Sequence, residues 1–89
     1  MEIEVRKLNQ EQLKEMDVFN WPIWKKEISR FDWHYDDIEE CYLLEGRVIV
    51  ETEDGKSVSF AKGDFVTFPK GLSCTWDIKE PVRKHYNFK

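Results

Sequence analysis

Asp32 and His34, Glu39 and Cys41, and Cys74 and Trp76 are the residues of this chain whose types and spacing best suit chemistry. The members of each pair lie two apart, and side chains alternate across an extended strand, so each pair shares a face. Imidazole, carboxylate and thiolate are all competent metal ligands, and a mixed nitrogen, oxygen and sulfur set favours zinc or iron over magnesium. A metal held by three such groups with one open position would polarise a carbonyl or activate water. Without a metal, the same groups form a polar pocket in which imidazole or phenol hydrogen bonds satisfy the carboxylate. Buried free cysteine is by default an inert small hydrophobe, and no C-x-x-C spacing exists here for a zinc ribbon or a thioredoxin-type site. Ser57, Ser59 and Ser73 lack the G-x-S-x-G surroundings of a serine hydrolase.

The elements that must position these groups read mostly as strands. Ile3 and Val5 alternate with charge, and Leu8 closes a short first strand. Asn9 then reads as a helix N-cap with Gln12 at the third helical position. Leu13 and Met16 form one apolar stripe, and Asp17 follows the helix end. From Trp21 the period changes to two, which predicts strands over 24–28, 31–35, 48–52, 57–60, 65–68, 74–78 and 82–88. Asp54-Gly55 predicts a tight hairpin turn with positive φ at both central positions. Many short strands separated by turn signals mean a sandwich or small barrel. The aromatic series Trp21, Trp24, Phe31, Trp33 and Tyr35 suits a core, a dimer interface or a stacking surface at a barrel mouth. Arg83 and His85 share a strand face that Lys84 opposes, which reads either as an anion grip or as a solvated face.

Two stretches carry a resemblance. Gly63, Pro69 and Gly71 fit G-x5-P-x-G-x2-H-x3-N, and Glu39 with Gly46 fits the end of G-x5-H-x-H-x3or4-E-x6-G. These are similar to the two motifs of the cupin superfamily, and the likeness spans about Trp21 to Phe88. It implies an all-β, single-domain antiparallel barrel (a jelly roll, or double-stranded β-helix) over residues 1–89 with one short N-terminal helix. Motif one covers about 32–46 and motif two about 63–78. With four residues before Glu39, His34 stands at the second histidine position and Asp32 at the first. Lys26 stands where the motif opens on glycine. In motif two, Cys74 replaces the histidine and Ile78 the asparagine. The resemblance implies His34, Glu39 and Cys74 as ligands of a divalent metal (zinc, iron or manganese). Glu39 would be the catalytic group, as ligand or general base, and Asp32, Cys41 and Trp76 would line the pocket.

Within cupins, the Glu39–Gly46 segment, the F-x-W-x-Y stretch and the end from Glu80 to Tyr86 resemble the ureidoglycine-aminohydrolase type. That group includes small single-domain members of unassigned activity, often from thermophilic bacteria. The aminohydrolase itself is expected to hold manganese through histidines, a glutamate and a glutamine, a set this chain does not supply. Two functions therefore stand side by side. One is a metal-dependent, aminohydrolase-like enzyme. The other is a metal-free barrel that binds a small molecule or only forms dimers, with Trp76 filling the lumen.

Composition narrows the setting. Eighty-nine residues form one domain, and at 40% hydrophobic and 15% aromatic they have the apolar mass to fold. A net charge of −4 argues against nucleic acid, whose affinity is dominated by cationic contacts to phosphate. No apolar run approaches the roughly 18 residues of a membrane span, and Met-Glu-Ile-Glu-Val is unlike a signal peptide. The expectation is a cytoplasmic protein with free thiols, a small-molecule ligand, and a homodimer formed through an edge strand or exposed aromatics. The high Glu and Lys content suits a thermophilic host and equally an ordinary soluble protein.

Overall fold

Two long strands carry the architecture of the computed structural model, which describes residues 1–89. They are β4 (Glu39–Thr52) and β7 (Ser73–Phe88), paired antiparallel along nearly their whole length. β1 (Glu4–Arg6), β2 (Ile23–Lys26), β3 (Ser29–His34), β5 (Ser57–Ala61) and β6 (Phe65–Phe68) attach to one or the other. The first half of β4 pairs with β6, which also pairs with β1, and the first half of β4 faces the end of β7, where β2 joins. The second half of β4 pairs with β5 and with the start of β7, where β3 joins. The strands expected over 74–78 and 82–88 are thus one strand, and the segment at 48–52 continues the one that begins at Glu39.

Between those halves the β4–β7 ladder slips at Leu43, Glu45 and Arg47. The slip inverts the alternation of β4: Glu39, Cys41 and Leu43 are buried before it, Val48 and Val50 after it. A bulge of this kind bends a strand and raises its twist, which lets one sheet wrap around a single interior. Gly46 sits at the bend with φ 109°. A side chain there would meet the Pro81 carbonyl oxygen at 2.6 Å and the Val82 Cα at 2.9 Å.

The interior is filled by the inward faces of both halves. Val48, Val50, Phe60, Val66, Phe68, Leu72, Trp76, Ile78 and Val82 form one continuous core with Tyr35 and both cysteines. Trp76 is its largest fully buried side chain, and it meets Phe60 and Phe68 with ring centroids 5.6 and 5.7 Å away. A second, smaller core lies where Leu13 and Val18 pack with Phe65. Helix α1 (Gln10–Glu15) is only six residues long, so docking rather than propensity holds it. Asn9 and Gln12 form the reciprocal capping box expected from sequence, at 2.8 and 2.9 Å.

The hairpin between β4 and β5 differs in detail from its expected form. Gly55 alone has positive φ, at 83°; Asp54 does not. The Gly55 amide donates to the Thr52 carbonyl at 3.1 Å, and Thr52 donates back to Lys56 at 2.9 Å. The loop is thus one residue longer than a two-residue turn, with glycine in the left-handed position.

The contrast between the two glycines is measurable. Gly46→Ala is expected to cost about 3 kcal/mol or more, from positive φ plus backbone overlap. Gly55→Ala, with nothing within 4 Å of the added carbon, should cost only about 1–2 kcal/mol. Urea unfolding of both variants checks this, and equal losses would contradict the close approach at the bend.

Candidate functional site

The interior polar group of this barrel is an ion pair. Lys84 Nζ on β7 donates to Glu39 Oε2 on β4 at 2.7 Å, and both side chains are at most 5% exposed. The register explains how they come to face inward. Lys84 stands opposite Leu43 on β4 and opposite Trp24 on β2. Directly opposed residues share a face, so Lys84 joins the buried row that contains Leu43, Cys41 and Glu39. A carboxylate and an ammonium removed from water need each other, because an unpaired buried charge costs several kcal/mol. The Lys84 ammonium also lies 5.0 Å from the Trp24 ring centroid and 4.8 Å from that of Trp76, within cation–π range.

Glu39 and Lys84 form part of the wall of a cavity of about 220 Å³. Trp24, Phe31 and Trp76 line it beside them, with Trp33, Tyr35, Tyr86 and Phe88 completing the wall. Phe31 stacks on Trp76 with rings 19° from parallel, and Tyr35 stacks on Phe68 at 4.7 Å. Trp33 and Phe88 are each 47% exposed while lining the cavity, which places its mouth between them. The Trp76 indole N–H donates to the Tyr35 hydroxyl at 3.1 Å. Burial, and then the Glu39 carboxylate, pushes the Tyr35 phenol up, so it stays protonated.

The residues expected to hold a metal do not converge. Glu39 and Cys74 are buried, but His34 and Asp32 lie on the outer face of β3. On β7, Cys74 and Trp76 point inward, and they stand opposite Trp33 and Phe31. That pairing forces the odd-numbered residues of β3 inward and the even-numbered ones outward. Outside, His34 Nδ1 lies 2.7 Å from the Ser73 hydroxyl and Asp32 accepts from Thr75 at 2.9 Å. The alternation is therefore one residue away from the expected one. With three rather than four residues before Glu39, Trp33 and Tyr35 occupy the places read for Asp32 and His34. No three His, Cys, Asp or Glu side chains come together as a group that could hold a metal ion. Glu39, the carboxylate nearest to such a role, is engaged by Lys84. The donor set does not fit a metal centre of the expected kind.

The remaining candidates fall as follows. Cys41 and Cys74 are both free and buried, and Trp76 both packs the core and walls the cavity. Of the Arg83-Lys84-His85 cluster, Arg83 pairs outside with Glu45 at 3.0 Å, and His85 Nδ1 lies 2.9 Å from the Trp21 carbonyl oxygen. Lys84, which sequence reading set opposite Arg83 and His85 without a site role of its own, is the cation of the site. Parity held the signal: Cys74, Trp76, Ile78, Val82 and Lys84 are all even-numbered and all buried on one unbroken strand.

A profile of the EutQ-like cupin domain matches residues 13–86. The chain belongs to this cupin family. A Thermotoga maritima protein of the DUF861 family has the same fold throughout, with TM-score 0.97 and 59% identity over 99% of this chain and 100% of that one. A DUF861-family protein from Pseudomonas syringae is 31% identical, with TM-score 0.66, over 72% of this chain and 28% of that one. The EutQ protein of Clostridium difficile, at 20% identity and TM-score 0.66, shares the fold over 94% of this chain and 64% of its own. No curated protein matches significantly. The cupin architecture expected from the two glycine turns is thereby established. No helix is long and apolar enough to cross a membrane.

The thiols test the closed interior. Burial pushes Cys41 up to about 12, against an opposing pull from Lys84, and pushes Cys74 up to about 11. Both should stay unreactive toward a disulfide reagent at pH 8 in the native protein and react at once in denaturant. Because both values are raised on folding, the stability they contribute is complete below the ordinary thiol value of 9.0. It should be lost as pH climbs from there through 11 and 12. A denaturation midpoint that holds constant over that window, or fast native labelling, would contradict the packing.

Proposed function

We propose that this chain is a small-molecule-binding cupin whose ligand occupies the aromatic cavity and is oriented by Glu39 and Lys84. The observation that carries this reading is the placement of the only buried ion pair against a cavity lined otherwise by aromatic rings. Binding sites generally have this make-up: a concave, mostly apolar wall with a few convergent polar groups. A barrel built only to pack its core has no need of two opposite charges there, since apolar residues of similar volume serve stability at least as well. From the likeness to aminohydrolase-type cupins, the reading retains a small-molecule ligand. It leaves out the hydrolytic step, because the metal donors that step would use are not brought together.

The ligand enters between Trp33 and Phe88, lies against the aromatic wall, and ends with a polar edge at the ion pair. Glu39 accepts and Lys84 donates, so the pair fixes orientation while the rings supply contact area. No covalent role is assigned to Lys84, whose ammonium is held by the carboxylate.

Nitrogen-15 spectra of the tryptophan side chains test the reading. Titrating a set of flat aromatic fragments should shift the indole signals of Trp24 and Trp76 and leave Trp21, which packs with Phe65 in the smaller core, unmoved. Added chelator should change neither the shifts nor the unfolding midpoint. Fragments that bind nowhere, or a midpoint that collapses on chelation, would overturn it.

A further inference from the structure

Charge, free hydrogen-bonding capacity and shape together narrow what this cavity takes. The two charges on its wall cancel. A carboxylate ligand that accepted from Lys84 would set a second negative charge beside Glu39 in an apolar enclosure. A ligand ammonium would do the same from the other side. Either leaves one buried charge short of a partner, at a cost of several kcal/mol. The cavity therefore selects an uncharged guest.

The pair nevertheless has capacity to spare. Glu39 is 3% exposed, and its Oε2 accepts from Lys84. Its Oε1 makes no hydrogen bond within the chain, yet no buried side-chain oxygen is sealed away without a partner. Oε1 therefore reaches the cavity surface, and as a carboxylate oxygen it can only accept. The Lys84 ammonium has three N–H donors, and Glu39 takes one. The ammonium otherwise lies against the faces of Trp24 and Trp76 on the cavity wall, with Glu39 as its hydrogen-bond acceptor. The wall thus offers the acceptor Oε1 beside the spare donors of an ammonium that lies 2.7 Å from the same carboxylate's other oxygen. Its complement is a donor beside an acceptor.

Shape supplies the third limit. The cavity, at about 220 Å³, lies below the usual range for drug-sized ligands, and seven of its nine lining residues are aromatic. A space of that size walled by aromatic rings suits one flat ring or two fused ones.

We infer that the ligand is an uncharged flat ring bearing an N–H and an adjacent carbonyl along one edge, as in a lactam or cyclic urea. This rests on the binding role proposed above. The ring N–H donates to Glu39 Oε1, the carbonyl accepts from Lys84, and the ring faces lie against the aromatic walls. A site built to pair such an edge rejects an analogue lacking it, because its own buried polar groups are then left unmatched.

The test is a titration of the intact protein with four compounds, read by the Trp24 and Trp76 indole signals. The four are 2-quinolinone, quinoline, quinoline-2-carboxylate and L-phenylalanine. The lactam 2-quinolinone should bind at least about tenfold more tightly than each of the others. In Lys84→Met or Glu39→Gln, where circular dichroism shows the fold intact, that preference should fall to about twofold or less. The wild-type series decides the matter even if neither variant folds. Equal binding of quinoline and 2-quinolinone would overturn edge recognition while leaving the binding role standing. Tightest binding of the carboxylate or of the zwitterion would overturn it in favour of an ionic guest. Silence from all four compounds would overturn both readings.

Discussion

Glu39 and Lys84 sit on the two strands that every other strand depends on, and their ion pair must be satisfied before the interior can close. β4 and β7 pair with each other, and all remaining strands attach to them directly or through β6. A pairing slip between these two strands would carry one charge out of the barrel and leave the other buried alone. The desolvation cost of that error is several kcal/mol, comparable with the whole stability of a small domain. The pair therefore acts against misregister even if it adds little to net stability. The Trp24 and Trp76 rings exclude water from it, and a low local dielectric strengthens the attraction.

The bend at Gly46 is the second constraint, and it makes the first possible. A straight β4 would keep one alternation, and either Glu39 or Val48 would then face solvent. The bulge lets odd-numbered residues face the interior before the bend and even-numbered ones after it. β7 needs no such inversion: its even-numbered residues from Cys74 to Lys84 are buried except Glu80, which pairs with Arg47 on the outside. Different elements thus deliver one apolar interior with one charged pair in it, and a cavity remains where the aromatic walls do not close on each other.

Much of the fold was legible in sequence because local chemistry dictates it. The glycines and proline at 63, 69 and 71 demand turns, Asn9 and Gln12 write a capping box, and Asp54-Gly55 marks the hairpin. The site was less legible, for a geometric reason. Side-chain direction in a strand has period two, so one residue of uncertainty before Glu39 exchanged Trp33 and Tyr35 for Asp32 and His34. Only the pairing of β3 with β7 resolves it, and that contact spans some forty residues of sequence. Lys84 was not read as a site residue for a related reason. It was judged against its neighbours Arg83 and His85 rather than against Cys74 and Trp76, ten and eight residues upstream on the same strand.

This geometry ties the cupin barrel to recognition through a neutral pair of opposite charges. The measurement that bears on it most directly is a double-mutant cycle on unfolding free energy with Glu39→Gln, Lys84→Met and both together. Each single change leaves one buried charge unpaired and is expected to cost about 3–5 kcal/mol. The double variant should cost less than their sum by well over 1 kcal/mol, the signature of direct coupling. Single costs that add to within about 0.5 kcal/mol would show that the two charges do not meet in the folded protein. The site described here would then not exist in that form.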